Sequence, residues 1–495
     1  MAALSEFVRQ WLGRDLPRLL ALRGDRRLYL VGGTLRDAVL DREPGDFDFA
    51  VSGSGVEFAG EFARRSRGKL VVLSEQDDEA RVVSRSRVFD FNGFGAAGIE
   101  ADLGRRDFTV NAMACELGDD GPGELLDPFD GRRDLAAGVL RPVSDRSLSS
   151  DPLRLLRALR LGLELGLAPD EAVYEQARAV SLSGTAGERI AAELLRIAEQ
   201  PASSTALVKL FELGRLEEIL PVLGPVLRDE KLRRHCFRTY AKTEEIVGGE
   251  SFFSRFEPEW RQYFDCWGVR AEGVAETGDR EPGEQEPDDA VAPTTGLPYR
   301  RALLKLAGLL HDVAKPETRF TNGNGEVHFY GHDSLGARAV ARMARERLRL
   351  SRAQVKMLQT LVQEHMRLHL LATTPDLSDR AIRRFFKDLG EEALGLMILC
   401  FADGWATAGR TYHLEDTITR MFEQKRAEDA RISVERFVTG HDLIELGLRP
   451  GPVFKVILEE LEELQLDGTL ADRQAALDYL KTNLPGLAAG RQAAE

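Results

Sequence analysis

Between Leu30 and Val51 the chain reads LVGGTLRDAVLDREPGDFDFAV, a run whose residue types and spacing could do chemistry. Asp46 and Asp48 lie two apart and alternate with Phe47 and Phe49. On a strand, residues two apart project to the same face, so the carboxylates converge while the phenylalanines bury on the other side. Two hard carboxylates at that separation suit Mg²⁺ shared with the phosphates of a substrate. Gly32 and Gly33 end an apolar run and precede a helical pattern, where backbone N–H groups approach phosphate oxygens and the helix N-terminus favours anions. Arg36, one turn on, adds a charge to the same phosphates. A glycine pair alone is usually only a turn, and D-x-D alone is often a solvated edge. Together within 17 residues they point to metal-assisted handling of a nucleoside triphosphate.

The elements that must position these groups follow from hydrophobic periodicity. Residues 28 to about 145 alternate short apolar runs (RLYLVGG, DFDFAV, KLVVLSE, RVVSRSRVFDF) with helical stretches, the pattern of an α/β domain. From about Asp151 a period of three to four dominates, as in DPLRLLRALRLGLEL and TALVKLFELGRLEEIL, which predicts an almost wholly helical remainder. Residues 272–296 are rich in Glu, Asp, Pro and Gly without apolar periodicity. They read as a disordered acidic loop inside a helical domain, since such a composition buries too little surface to order itself. The alternative is a linker between independent domains. The N-terminal 27 residues read as an amphipathic helix interrupted by charges, not as a signal peptide.

At 495 residues the chain is too long for one core, and about three or four domains are expected. A formal charge of −14 argues against a polycation that holds nucleic acid by bulk attraction, but leaves room for local basic faces. Cys115, Cys236, Cys266 and Cys400 have no paired spacing, so neither a disulfide scaffold nor a zinc knuckle is expected and a reducing cytoplasm fits. No stretch approaches the roughly 18 apolar residues of a bilayer span.

With these residues in view, GGTLRD…DFDFAV resembles the signature of class II tRNA CCA-adding enzymes and bacterial poly(A) polymerases. ADLGRRDFTVNAMA (101–114), LLDPFDGRRDL (125–135), SDPLRLLRALRL (150–161) and GERIAAELLRI (187–197) resemble that family's later motifs in order, and TGHDLIELGLRPGPVFKVILEELEELQLDGTLADRQAAL resembles its tail. The resemblance implies that Asp46 and Asp48 hold Mg²⁺ ions that activate an RNA 3′-hydroxyl and neutralise leaving pyrophosphate. It implies that Gly32, Gly33 and Arg36 meet the triphosphate, and that Arg106, Asp107 and Asn111 serve ribose and phosphate. Asp90, on the strand VFDF, is a candidate third carboxylate acting as base, or a commonplace sheet-edge aspartate.

Asp151 and Arg154 stand at i, i+3 and would share a helix face. A carboxylate accepts from an exocyclic amine and a guanidinium donates to the ring nitrogen beside it. Cytosine and adenine both satisfy that pair, whereas guanine and uracil present the opposite order, so the two residues read as a protein template for C and A. Arg157 and Arg160 continue the stripe and would meet phosphate. Two departures from the family stand out. Ser150 replaces the glutamate that often precedes the templating aspartate, so another group must orient Asp151. The stretch between Asp48 and Arg105 lacks the longer arginine-containing loop that in the family helps the switch from CTP to ATP.

The chain has eight histidines, and RRHCFRTY, LLHDVAKPE, FYGHDSLGA, QEHMRL and CFADGWA resemble the HD phosphohydrolase superfamily. The resemblance implies one metal site from His235, His311, Asp312 and Asp403, and a second position completed by His332 and His365. Imidazole and carboxylate ligands suit Mn²⁺, Ni²⁺, Zn²⁺ or Fe²⁺ more than Mg²⁺, and such a site makes a nucleophile of bound water. Lys315 would neutralise the phosphoryl group. His328, His369, His413 and His441 read as structural or surface residues.

The expected fold is α+β: an N-terminal helix (1–27), a polymerase-beta-like nucleotidyltransferase head (28–149), an all-α templating and RNA-binding neck (150–230), an HD phosphohydrolase body (231–415) and a helical RNA-binding tail (416–495). The expected activity is Mg²⁺-dependent, template-independent transfer of CMP and AMP from CTP and ATP to an RNA 3′ end, most simply tRNA, in a cytoplasmic protein. A transition ion such as Mn²⁺ or Ni²⁺ would serve the HD body. The alternatives are a poly(A) polymerase on general RNA and a phosphohydrolase with a non-catalytic RNA-binding head.

Overall fold

The structure, a computed structural model, describes residues 2–85, 87–264, 297–432, 437–448, 451–466 and 468–489. The acidic stretch 272–296 lies outside the described residues. The chain divides into two compact units: Met1–Arg233 with Tyr299–Leu306 and Arg338–Lys356, and Arg234–Pro298 with Ala307–Ala337 and Met357–Glu495.

The first unit opens with two helices where one was expected, α1 (Ala2–Leu12) and α2 (Asp15–Arg23). They part at Gly13, whose φ of +41° takes the chain out of the helix. The head follows as β1 (Leu28–Val31), α3 (Gly32–Val39), β2 (Phe47–Ser52), α4 (Gly55–Ser66), β3 (Lys69–Ser74), β4 (Glu79–Ser84), β5 (Arg87–Phe94), α5 (Gly98–Leu103), β6 (Ala114–Gly118) and β7 (Gly121–Leu126). The strands form one mixed sheet in the order β3-β4-β5-β2-β1-β6-β7. Only β2 and β5 pair in parallel, with Asp48 opposite Asp90, and α4 and the β3–β4 hairpin form the crossover between them.

Aromatic alternation fixes that register. Phe47 stacks on Phe89 and Phe49 on Phe91, with centroids 5.4 and 5.2 Å apart, and Phe58 and Phe62 of α4 cover the same face. A slip of β2 by one residue would turn Phe47 and Phe49 to the other face and bury Asp48. The opposite face packs Tyr29, Val31, Ala50 and Phe94 against Ile99 and Leu103 of α5 and against Ala112 and Ala114. After β7 come α6 (Gly131–Ala137), α7 (Ser147–Ser150), α8 (Arg154–Leu165), α9 (Glu171–Ala179), α10 (Gly187–Glu199) and further helices. Strands do not vanish entirely after Asp151. Two-residue strands remain at Ala168–Pro169, Phe320–Thr321 and Val327–His328.

The second unit contains the helix Ala393–Ala408, twelve of whose residues are buried, among them Leu394, Leu396, Met397, Ile398 and Leu399. A helix apolar on all sides belongs in an interior, which places its one acid, Asp403, among buried neighbours. Gly308 sits where an added Cβ would come within 3.0 Å of Thr243 and 3.4 Å of the Thr239 backbone. Its lack of a side chain lets the helices Glu230–Gly248 and Arg300–Leu310 touch. Towards the C-terminus Val438, Leu443, Ile457, Leu461, Leu470 and Leu480 form a separate apolar cluster.

A half-buried tie holds the β3–β4 hairpin to α4. Asp78, in the turn between those strands, accepts hydrogen bonds from Ser54 Oγ (2.8 Å), Gly55 N (2.8 Å) and Val56 N (3.1 Å) at the start of α4. Asp78→Ala leaves those amides unpaired. It should destabilise the head by about 1–3 kcal/mol, read as a lower urea midpoint, while Asp77→Ala, on an exposed position of the same turn, should shift it little.

Candidate active sites

In the head, β1 runs directly into α3, and Gly32 takes φ +65° at the junction. A Cβ on Gly32 would lie 2.8 Å from both Asp48 Oδ2 and Arg106 NH1, and one on Gly33 3.3 Å from Asp48 Oδ2. Glycine is thus required at residue 32 by close approach as well as by backbone angle, while a side chain at residue 33 would only crowd Asp48. The Gly33 N–H donates to Asp48 Oδ2 at 2.9 Å. Thr34, buried and not singled out in the sequence, locks helix to strand: its hydroxyl accepts from the Asp48 N–H (2.7 Å) and donates to the Asp46 carbonyl (3.3 Å).

Asp46, Asp48 and Asp90 each bring a carboxylate oxygen within 4.8 Å of the others. Burial and the neighbouring Asp46 charge push Asp48 up to about 7, against the pull of Arg106. Three acids so placed, one of them holding a proton near neutrality for want of a counter-charge, fit divalent cations. Asp90 is fixed by Arg81, its opposite number on β4, through bonds of 2.8 and 2.7 Å to its two oxygens.

The surrounding cations are equally constrained. Arg36 donates to Asn111 Oδ1 (2.8 Å) and pairs with Asp37 (2.8 Å). Arg106 leans on Asp102 at 3.2 Å and lies beside Gly32. Asp107 is buried; burial would raise its carboxyl, but Arg157 at 3.0 Å and a 3.0 Å bond from Asn111 hold it below its usual value. Arg157 therefore faces a carboxylate. Arg160, expected to meet phosphate, is buried between Glu193 (2.6 Å) and Glu164 (2.5 Å) and is neutralised inside the helical packing of α8 and α10.

The expected helical face shared by Asp151 and Arg154 is not what forms. α8 begins at Arg154, and Asp151 lies before it in extended backbone at φ −149°. The cause is Pro152, whose ring disfavours helical angles in the residue ahead of it. Arg154 donates to the carbonyls of Arg105 (2.7 Å) and Arg106 (3.0 Å) and to Ser147 Oγ (3.0 Å), so it braces the 105–106 turn. Asp151 Oδ2 instead accepts from Arg189 of α10 at 2.7 Å. That pairing supplies the orienting group that Ser150 lacks the charge to be. Arg189 stood in a quoted motif, but nothing in its spacing announced the partner.

In the second unit, the side chains of His235, His311 and Asp312 offer ligand atoms within 4.8 Å of one another, and so do Asp312, His332 and His365. Asp312 belongs to both sets. Its Oδ2 lies 3.2 Å from His311 Nε2 and 3.5 Å from His235 Nε2, and its Oδ1 3.5 Å from both His332 Nε2 and His365 Nε2. Asp403 Oδ1 closes the first set, 3.0 Å from His235 Nε2. His369, read as a structural residue, bonds the other Asp403 oxygen at 2.9 Å. Its spacing of four from His365 was the only available signal.

The backbone sets the tautomers. His311, His332 and His365 direct Nδ1 to the carbonyls of Gly308 (2.9 Å), Phe329 (2.6 Å) and Val362 (2.8 Å). A donating Nδ1–H leaves the Nε2 lone pair facing the centre. There the Nε2 atoms of His235 and His311 meet at 3.2 Å, and those of His332 and His365 at 3.1 Å. Facing lone pairs repel unless a proton or a metal ion lies among them. Asp312 Oδ1 is buried without a hydrogen-bond donor, as suits a carboxylate oxygen able to ligate a cation. The donor set fits a pair of borderline divalent ions. Burial favours a neutral His311, but Asp312 and Asp403 hold it charged, up to about 10. Burial also disfavours those two carboxylates, yet His311 and, for Asp403, the bond from His235 keep both well below the usual range. Lys315 Nζ bonds Asp312 Oδ2 at 2.6 Å.

Residues 28–141 match the model of the poly A polymerase head domain, and residues 284–408 that of the HD domain. The chain is similar to a CC-adding tRNA nucleotidyltransferase of Geobacter sulfurreducens, 29% identical with 95% of this chain and 96% of that protein covered. It is similar to an A-adding tRNA nucleotidyltransferase of Deinococcus radiodurans, also 29% identical, covering 91% and 94%. Among solved structures it shares its fold with the Thermotoga maritima CCA-adding enzyme complexed with tRNA, at a TM-score of 0.61 and 19% identity over 97% of this chain and 98% of that one. No helix among the described residues is long and apolar enough to cross a membrane. The chain thus carries a poly A polymerase head domain and an HD domain, and along most of its length it is similar to tRNA nucleotidyltransferases.

Proposed function

We propose that this chain transfers CMP and AMP from CTP and ATP to the 3′ end of RNA, with tRNA as acceptor, and that its HD cluster hydrolyses phosphate esters or 2′,3′-cyclic phosphates. The convergence of Asp46, Asp48 and Asp90 beneath the Gly32–Gly33 turn carries the first part. In this reading the three carboxylates hold Mg²⁺, which supplies charge neutralisation at the triphosphate and at the attacking oxygen. Asp90 acts as a ligand and not as a base, because Arg81 already engages both its oxygens. Gly32, Gly33, Arg36 and Arg106 line the triphosphate, and Asp107 and Asn111 hold the arginines in place around ribose and phosphate. The RNA 3′-oxygen bonds to the α-phosphorus as pyrophosphate leaves.

Asp151 selects the base with Arg189 behind it, and Arg154 joins the base edge by releasing part of its hold on the 105–106 backbone. Head, neck, HD body and tail divide near residues 149, 230 and 415, with the neck and tail carrying RNA, in a cytoplasmic protein. A second reading, addition of the two cytidines only, is favoured by the connections between β2 and α5. They are two to four residues long, leaving no loop that could remodel the pocket for ATP. The similarity to both CC-adding and A-adding relatives is consistent with a partial activity.

In the HD unit, His235, His311, Asp312 and Asp403 would hold one transition ion such as Mn²⁺ or Ni²⁺, and Asp312, His332 and His365 a second. Such ions make bound water a nucleophile at neutral pH. Lys315 would leave Asp312 for the substrate phosphoryl group, and His369 would orient Asp403.

Transcripts of tRNA ending before, within and after CCA, incubated with CTP, ATP or both, test the transferase. Two cytidines and no adenosine would establish the CC reading. Asp48→Ala should cost about 10³-fold or more in incorporation with tRNA binding retained, whereas Asp312→Ala should leave incorporation intact and abolish Mn²⁺- or Ni²⁺-dependent hydrolysis. Near wild-type incorporation by Asp48→Ala would sink the head assignment.

Base choice is tested by Asp151→Ala with Arg154→Ala, which should lower CTP use and relax rejection of GTP and UTP. Unchanged rejection would remove the templating role.

The HD electrostatics give a signed prediction. His311 carries a proton up to about 10 that an incoming ion must displace. Mn²⁺ titrated into metal-free protein at pH 7.5 should therefore release about one proton per ion at this site, and affinity should fall as pH is lowered. His311→Ala should abolish that release.

A further inference from the structure

The segment that delivers His332 carries a feature neither ligand set uses. Phe320–Thr321 and Val327–His328 pair as a short antiparallel ladder with Phe320 opposite His328, and the chain then runs through Phe329, Tyr330 and Gly331 to His332. The rings of His328 and Tyr330 stack, with centroids 5.2 Å apart and planes 13° apart. Asn322 Nδ2 donates to His328 Nε2 at 3.2 Å, which fixes the ring. Yet Tyr330 is 71% exposed and Phe320 54%, so a pre-stacked aromatic pair stands open to solvent with a third ring at its strand neighbour. Rings held parallel but left uncovered are a waiting stacking surface, since every nucleobase offers a matching face.

Phe329 lies between the two stacked residues and turns the other way. Its ring sits 5.6 Å from Lys315 Nζ and its carbonyl accepts from His332 Nδ1. Lys315 in turn bonds Asp312. Tyr330 and His332 are two residues apart, about 7 Å at most between their Cα atoms. One short segment thus presents an exposed aromatic face and, within the reach of a single nucleotide, the His–Asp cluster with Lys315 beside it.

We propose that His328 and Tyr330, flanked by Phe320, form a base-stacking platform for the nucleotide whose phosphate is cleaved at the His–Asp cluster. The substrate class of that cluster is then a nucleotide or the terminal nucleotide of RNA, not a bare phosphate ester. This rests on the phosphohydrolase reading of the cluster and specifies its substrate.

The test compares wild-type protein with Tyr330→Ala and Tyr330→Trp, loaded with Mn²⁺, on adenosine 2′,3′-cyclic phosphate and on base-free ribose 2′,3′-cyclic phosphate. Tyr330→Ala should raise KM for the nucleoside substrate about tenfold or more with kcat little changed, leave the base-free substrate unaffected, and be rescued by Tyr330→Trp. Equal effects on both substrates, or none on either, would overturn the platform. Calorimetric binding of adenosine 2′-monophosphate to metal-free protein provides a readout without turnover, and Tyr330→Ala should weaken it by the same factor. If wild-type protein hydrolyses neither substrate, the phosphohydrolase reading fails, and the binding measurement alone decides the platform: a tenfold loss in Tyr330→Ala upholds it and unchanged binding overturns it.

Discussion

Three carboxylates within 4.8 Å of one another repel, and much of the head resists that repulsion until cations arrive. Asp48 is drawn in by the Gly33 N–H and by the positive end of α3. Asp90 is held by Arg81 from the neighbouring strand. Thr34 pins the backbone on which Asp46 and Asp48 sit. The glycines follow from the same constraint, because a side chain at residue 32 would collide with Asp48 and Arg106. The parallel pairing of β2 with β5 also belongs to it, since that register alone puts Asp90 beside Asp48 while the stacked phenylalanines bury behind them.

The His–Asp cluster meets a related problem with different ligands. Four imidazoles and two carboxylates converge, and in three of the rings (His311, His332 and His365) a backbone-anchored Nδ1 leaves no inward proton donor unless the ring is charged. Lys315 bonds Asp312, and Asp312 and Asp403 hold His311 far above its ordinary value against the cost of burial. A borderline, nitrogen-rich set in one unit and an all-oxygen set in the other differ in the metals they suit. Asp48 and Asp312 can therefore be altered independently.

The arginines show how a charge's role depends on what lies opposite. Arg154, Arg157 and Arg160 share a stripe on α8, yet one braces backbone carbonyls, one faces buried Asp107 and one is neutralised by two glutamates. Identical side chains at helical spacing diverge because Glu193 and Asp107 come from other elements. The orientation of Asp151 is set in the same way, by Arg189 from α10.

The sequence by itself determined the alternation of Asp46 and Asp48 with phenylalanines, the glycine turn ahead of a helix, the change from strand to helix periods near residue 151, and the histidine and aspartate series that resembles an HD cluster. These are local patterns, carried by spacing along one element or by ordered motifs. It even contained the break at Asp151, since Asp-Pro excludes a helical angle, although the i, i+3 spacing suggested a shared face. Tertiary structure alone decided the rest: Asp90 beside Asp46 and Asp48, Arg81 and Arg189 as the groups that hold carboxylates, Asp312 between two ligand sets, His369 against Asp403, and the burial of Arg160. Each of these depends on which residues from distant elements meet. Cross-strand register and helix packing make that choice, and a linear pattern of side chains does not encode it.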